Sequence, residues 1–322
     1  MNVSGIKRPA RPTAAGSGQI AQVSEHARRE LVELLEAQAG SLEGSIETPI
    51  VGLSIHRIMR VSGPHHHLQT AALALIAQGS KRLLIGDEVY TYDPLHYMVS
   101  SVDLPVVAQI RTASPTAPYL GLRLRLDLEA LGSLIRDEHL PPMPRSDPAR
   151  GLVVNPLCPE LLDAVLRLLR LLSTPRDIPI LAPLIQREIL YRLLMDGQGV
   201  RMRQIALLDS HTQRVAKAIS LLRQHFAEPL RIEAIAREVH MSVSSLHHHF
   251  KSVTAMSPLQ YQKQLRLQEA RRLMFMADLD IAITAHRVGY ESPSQFSREY
   301  GRLYGISPRQ DKRRFLDRLM TP

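Results

Sequence analysis

Two runs of three histidines stand out, "PHHHL" at 64–68 and "SSLHHHFKS" at 244–252. Imidazoles in a row offer metal coordination, proton transfer or hydrogen bonding to a polar partner. Spacing separates these uses. If 64–68 is a strand, His65 and His67 share one face, as a metal-binding cupin strand requires. The residues that follow, "LQTAALALIAQGS", supply no acid to complete such a site. No nucleophile and base pair elsewhere either, so a cupin-type metalloenzyme is the weaker reading, and the first triplet reads as a polar loop or strand edge. On a helix, metal-binding histidines sit at i and i+4. His247, His248 and His249 instead fan across ~200° and do not converge on one ion. The sequence therefore implies no enzyme, no metal and no cofactor.

The chain has 322 residues, room for two domains. Its one cysteine, Cys158, leaves no internal disulfide and suits a reducing compartment. The head, residues 1–22, is rich in Gly, Ala, Pro and Ser and reads as disordered, without the apolar core of a secretory signal. The leucine-rich stretch "LLDAVLRLLRLL" is interrupted by Asp163, Arg167 and Arg170 and is too short for a bilayer. These features predict a soluble cytoplasmic protein with no membrane partner. Of the net charge of +9, residues 206–322 carry +7, from 18 Lys and Arg against 11 Asp and Glu. A basic segment on a near-neutral remainder points to a polyanion.

"SEHARRELVELLEAQ" predicts a helix over 24–38, with Ser24 as N-cap. From 50 to 126, seven short apolar runs separated by turns predict an antiparallel sandwich or barrel, with a hairpin at Gly86-Asp87. After Asp127 the periodicity becomes helical. A proline-rich linker spans 141–148, helices are predicted at about 159–172 and 181–195, and a connector lies near 196–209. Domains of 23–205 and 206–322 follow.

The last third contains a repeat. "LHHHFKSVTAMSPLQ" at 246–260 lies over "FSREYGRLYGISPRQ" at 296–310, at an offset of 50 throughout. Upstream, "IAREVHMS" resembles "TAHRVGYES", with one extra residue in the second turn. Each copy reads as helix, tight turn, helix, with Ala236 and Ala285 where the two helices cross. That is the helix-turn-helix layout, whose second helix enters the DNA major groove.

A wheel at ~100° per residue assigns the faces. Leu246, Phe250 and Val253 form one core face; Phe296, Tyr300 and Leu303 form the other. Opposite them lie Ser244, His247, His248 and Lys251, and Ser294, Ser297, Arg298 and Arg302, with Gln295 on a flank. Both outer faces are free of acids and supply donors for base edges and cations for phosphates. His249 falls at the core edge, as a packing or phosphate residue. "MSPLQ" and "ISPRQ" each predict an N-cap serine, proline at N1 and a capping-box glutamine. The helix from Ser257 to about Met276 is ~30 Å long, close to the ~34 Å between successive major-groove faces.

On these two units, the connector "MSPLQYQKQLRLQEARRLM" and the closing "FSREYGRLYGISPRQDKRR", residues 210–317 resemble the AraC/XylS family of bacterial transcription regulators. Gly301 and Asp311 depart from the family pattern, standing where lysine and an aromatic are common. The segments at 75–106 and 118–127 resemble the AraC-type regulatory N-terminus. The resemblance implies an α+β chain: a cupin-like β-barrel with flanking helices, then an all-α domain with two helix-turn-helix motifs. It also implies a regulator, here expected to be an activator, that binds promoter or operator DNA, works with RNA polymerase and responds to a small-molecule effector. It would act in the bacterial cytoplasm at the nucleoid.

Three further expectations concern the N-terminal region. His56 and Arg57 lie on opposite faces of their strand, so at most one anchors an effector in a barrel pocket. Cys158, before the helix starting near Glu160, is a candidate redox or electrophile sensor. The apolar stripe of "PELLDAVLRLLRLL" is wide enough to cover a second subunit, which predicts a homodimer.

Overall fold

The computed structural model describes residues 23–136, 150–195, 211–277 and 279–320. The predicted disordered head, the proline-rich linker and the 196–209 connector, with the domain boundary inside it, lie outside the described residues.

All seven predicted strands form, as β2 (Leu53–Ile58), β4 (Ala72–Gln78), β5 (Ser80–Ile85), β6 (Glu88–Tyr92), β7 (His96–Ser100), β8 (Leu104–Thr112) and β9 (Tyr119–Arg125). Three more join them: β1 (Gly44–Glu47), β3 (His65–Gln69) and β10 (Leu152–Pro156). Pairing is antiparallel in two sheets, ordered β1-β2-β9-β4-β7-β10 and β3-β8-β5-β6. The sheets face each other as an open cup and do not close into one barrel. Gly86 takes φ 57° in the two-residue β5–β6 turn, a left-handed conformation that glycine adopts without strain.

Alternation along the strands separates two cores. On β9, Leu120, Leu122 and Leu124 join Leu53, Ile55, Leu73 and Leu75 on the outer face of the six-stranded sheet. Helices α1 (Glu25–Ala39), α2 (Leu128–Arg136), α3 (Pro159–Arg170) and α4 (Ile178–Met195) cover that face. Ser24 caps α1 through Ala27 N. The apolar stripe of α3 is buried within the chain: Leu161, Leu162, Val165, Leu166, Leu168 and Leu169 are all inaccessible. Because α1, α4 and the sheet approach α3 from different sides, its wide stripe has no free part for a second subunit. That corrects the predicted dimer surface.

The inner face has a different partner. Ala74, Ile76, Met98, Val106, Ala108 and Ile110 share one apolar cluster with α5 (His211–Gln224), α7 (Val243–Thr254) and α8 (Pro258–Met276). Between α5 and α7 lies α6 (Ile232–Glu238). The last elements are α9 (Ile281–Arg287), α10 (Pro293–Tyr304) and α11 (Pro308–Met320). The first two form a separate core with the end of α8, and Phe315 of α11 stacks on Phe275 at 4.3 Å.

Candidate nucleic-acid interface

Each copy of the repeat folds as helix, turn, helix: α6 with α7, and α9 with α10. Ala236 and Ala285 are buried at the crossings, where a larger side chain would hold the helices apart. The turns need a positive φ, supplied by His240 at 52° and Gly289 at 88°. Ser242 and Ser292 cap the second helices by accepting from Ser245 N and Gln295 N. The helices end alike, with Ala255 and Gly305 both left-handed, 50 residues apart.

These caps fix how α7 and α10 roll. Leu246, Phe250 and Val253 are buried, as are Phe296 and Tyr300, while Leu303 is partly buried. Every outward residue chosen from the wheel is exposed or half-exposed: Ser244, His247, His248 and Lys251 on α7, and Ser294, Gln295, Ser297, Arg298 and Arg302 on α10. Among the described residues, neither Lys251, Arg298 nor Arg302 has a carboxylate partner. Gln295 also reaches Glu299 at 3.4 Å, and Glu299 is held by Lys263 and Tyr290. His249 turns inward, stacked on His211 at 3.8 Å and edge-on to His248 at 5.1 Å. Burial, then His211 and His248, lowers its pKa. Among the described residues, no group of histidines and acids could hold a metal ion.

Helix α8 joins the units. Ser257 and Gln260 form a full capping box at its start, and Ser307 and Gln310 bond reciprocally before α11. Its 19 residues span ~28 Å. Arg266 near its middle donates to Phe226 O, Ala227 O and Glu228 O in the segment between α5 and α6, and to Gly289 O in the turn of the second unit. One guanidinium thus ties the segment that leads into the first unit and the turn of the second to one helix. Sequence reasoning missed this residue, because its acceptors are backbone carbonyls brought in from elsewhere in the chain. Arg271 grips Asp311 through two bonds, at 2.8 and 3.2 Å, and Tyr300 donates to the same carboxylate at 2.6 Å. This network accounts for the acid found where the family pattern has an aromatic.

The first unit is also tied to the cup. Arg150 donates to Lys251 O and Ser252 O at the end of α7 and pairs with Glu88. Gly151 N donates to Val253 O at 2.9 Å. Arg223 pairs with Asp103, whose carbonyl accepts from Tyr261. The second unit meets the cup through His66, edge-on to Tyr304 at 4.8 Å.

In the cup, the first triplet, read as a polar loop or strand edge, forms β3 at the edge of its sheet, with His65 and His67 stacked at 5.5 Å on one face. His56 alternates with Leu53 and Ile55 and so faces the cup, while Arg57 lies on the other face and contacts Met59. Cys158 precedes α3 without capping it through its side chain, and packs against the outer core.

A sheet-rich domain carrying two helix-turn-helix units on one rigid connector has the architecture of a DNA-binding transcription regulator. Residues 49–201 match the AraC-type transcriptional regulator N-terminus, and residues 235–314 match a helix-turn-helix domain. The chain is 34% identical over 126 residues to the HTH-type transcriptional activator RhaS of Salmonella schwarzengrund (strain CVM19633), and equally to that of Salmonella arizonae. The match covers 38% of this chain and 44% of either relative, so it spans less than half of their length. In fold, the chain is similar to ToxT from Vibrio cholerae. An apo form of ToxT aligns at TM-score 0.51 and 12% identity, over 81% of this chain and 96% of that one. The unsaturated fatty acid-bound form aligns at 0.52 and 12%, over 81% and 94%. The chain belongs to the AraC/XylS family of transcription regulators.

Proposed function

We propose that this protein activates transcription by binding promoter DNA through α7 and α10, in concert with RNA polymerase, under the control of a small molecule held in the N-terminal cup. One observation carries the reading: both second helices present outward faces of hydrogen-bonding and cationic side chains, on units fixed to one ~28 Å helix. His247 and His248 supply hydrogen bonds to base edges, while Lys251, Arg298 and Arg302 supply charge for phosphates and guanines. The effector reading rests on the open cup and the polar side chains that face into it. Chemistry in the cup has less support, since the acid that a cupin metal site needs is missing beside His65 and His67.

The test is selection of duplexes from a random library by the full chain, followed by titration against salt. Neutralising several phosphates gives an affinity that falls steeply with salt, with slope about −0.9 per phosphate contacted. Binding that is insensitive to salt, or selection that yields no consensus, contradicts the reading. A thermal-shift screen of metabolites tests the effector, and a ligand at ~100 times its dissociation constant adds ~2.7 kcal/mol. We place the homodimer contact on α4, where Ile180 and Leu184 are 70% and 62% exposed. A Leu184→Glu chain should then have a monomeric mass at micromolar concentration where the unmodified chain is dimeric.

A further inference from the structure

The cup is lined by donors that lack acceptors. On β2, Ser54 and His56 face inward; on β9, Arg123 lies directly across from Ser54. On the opposing sheet, Lys81 pairs in register with Tyr92 and Ile110, and His67 with Val106. Ser54 is 0% exposed and its Oγ has no hydrogen-bond partner. The Nε of Arg123 and the Nδ1 of His67 are buried and equally unpartnered. Arg123 spends one other nitrogen on Thr70 Oγ1 at 3.0 Å. Among the described residues, Lys81 has neither a hydrogen bond nor an ion pair.

Buried cations normally meet a carboxylate, because an unpaired charge away from water costs several kcal/mol. The acids near this cup are engaged elsewhere or lie exposed at its edge. Asp103 is taken by Arg223 and Ala71 N, and Glu88 by Arg150. Glu47 on the edge strand β1 shares the face of its cross-strand partner Ser54, but it is exposed and forms no ion pair among the described residues. The charges acting on His56, His67 and Lys81 are themselves basic. Burial first, then Lys81, lowers His56 to about 4 and His67 to about 3. Burial, then Arg123, lowers Lys81 to about 8. At neutral pH the site therefore holds two cations and neutral imidazoles, a set of donors whose complement is an oxyanion.

We propose that the cup binds a small ligand through an oxyanion group, a carboxylate or a phosphate, held by Lys81 and Arg123 with Ser54, His56 and His67 as hydrogen-bonding partners. This rests on the effector reading above and adds the charge and chemical class of the ligand. The site trades stability for binding, since the ligand-free fold carries the repulsion between Lys81 and Arg123.

The test uses the full chain in low-chloride buffer, titrated by calorimetry with benzoate, inorganic phosphate and neutral benzamide. Saturable binding of benzoate or of phosphate, with benzamide at least ~10-fold weaker, is expected, and the anion that binds identifies the head group. Lys81→Met and Arg123→Gln should each weaken that anion at least ~10-fold. Lys81→Met should also raise the melting temperature of the ligand-free protein, a readout that a purely structural lysine would move the other way. Affinity should fall as pH rises through Lys81's value of about 8. The groups facing Lys81 do not titrate there: burial holds His56, His65 and His67 below the ordinary imidazole value and holds Tyr92 and Tyr119 above their ordinary range. Equal binding of benzamide and benzoate would keep an effector pocket and overturn its anion selectivity. Silence toward both anions, with a neutral metabolite stabilising the chain, would overturn the anion site alone. Unchanged anion affinity in Lys81→Met would place the anion elsewhere and overturn the assignment.

Discussion

The two helix-turn-helix units share one backbone plan and are stabilised in different ways. The first buries Leu246, Phe250 and Val253 in a core continuous with the inner face of the cup, and Arg150 and Gly151 hold the end of its reader. The second closes on itself around Phe296, Tyr300, Tyr290 and Val288, and meets the cup at a ring contact between His66 and Tyr304. The outer faces differ too: two histidines and one lysine on α7, two arginines and a glutamine on α10. The same motif thus packs once into the inner core of the cup and once around a core of its own.

The two turns should respond to substitution with opposite signs. A Cβ on Gly289 would stand 2.0 Å from Ala227 O, at a φ of 88°. Gly289→Ala should cost about 3 kcal/mol, from left-handed strain plus displacement of that backbone. The equivalent His240 already has a side chain at φ 52°, and His240→Gly should stabilise by about 1 kcal/mol. Urea unfolding of both variants checks the pair; equal signs would mean that the turns are not equivalent.

Arg266→Met removes the guanidinium shared by the segment before α6 and the turn of the second unit, and leaves its carbonyl acceptors short of donors. A loss of about 2–3 kcal/mol is expected. Hydrogen exchange should rise both at 226–229 and around Gly289. Exchange confined to one unit would show that α8 does not couple them through this residue.

The readers are next. His248→Ala and Arg298→Ala should each cost ~1–3 kcal/mol on selected DNA and less on random DNA. Equal loss on both DNAs would make the residue a phosphate contact. The smallest effect concerns Gly301, where an added Cβ would meet only Ile306 O at 3.9 Å. Gly301→Lys should stabilise α10 by ~0.5–1 kcal/mol and steepen the salt slope of DNA binding by about one unit. An unchanged slope would put that side of α10 away from the phosphates.

The repeat and the outward faces were legible in the sequence because local chemistry sets them. A serine cap at each start, proline at N1 of α10 and the 3.6-residue period of the apolar positions set which face of α7 and α10 turns outward. Seven strands were legible from alternation and turn residues. Strand β3 was harder to read: three histidines on an edge strand carry no apolar alternation, although one face lines the cup and the other meets Tyr304. Four-residue β1 and five-residue β10 are too short for their periodicity to stand out. The stripe on α3 was misread as partly free because a sequence does not say how many neighbours will cover a helix. Arg266, Arg150 and the pair of Arg271 with Asp311 had no local signature, since their partners are 11 to 102 residues away or bonded through carbonyls.

If both units read one face of one duplex, hydroxyl-radical footprinting of the full chain on its selected DNA will resolve them. Two protected major-groove segments one helical turn apart, ~10.5 base pairs, are predicted, with the far segment lost in Arg298→Ala/Arg302→Ala and the near one kept. A single protected segment that responds equally to changes in α7 and in α10 would contradict that arrangement.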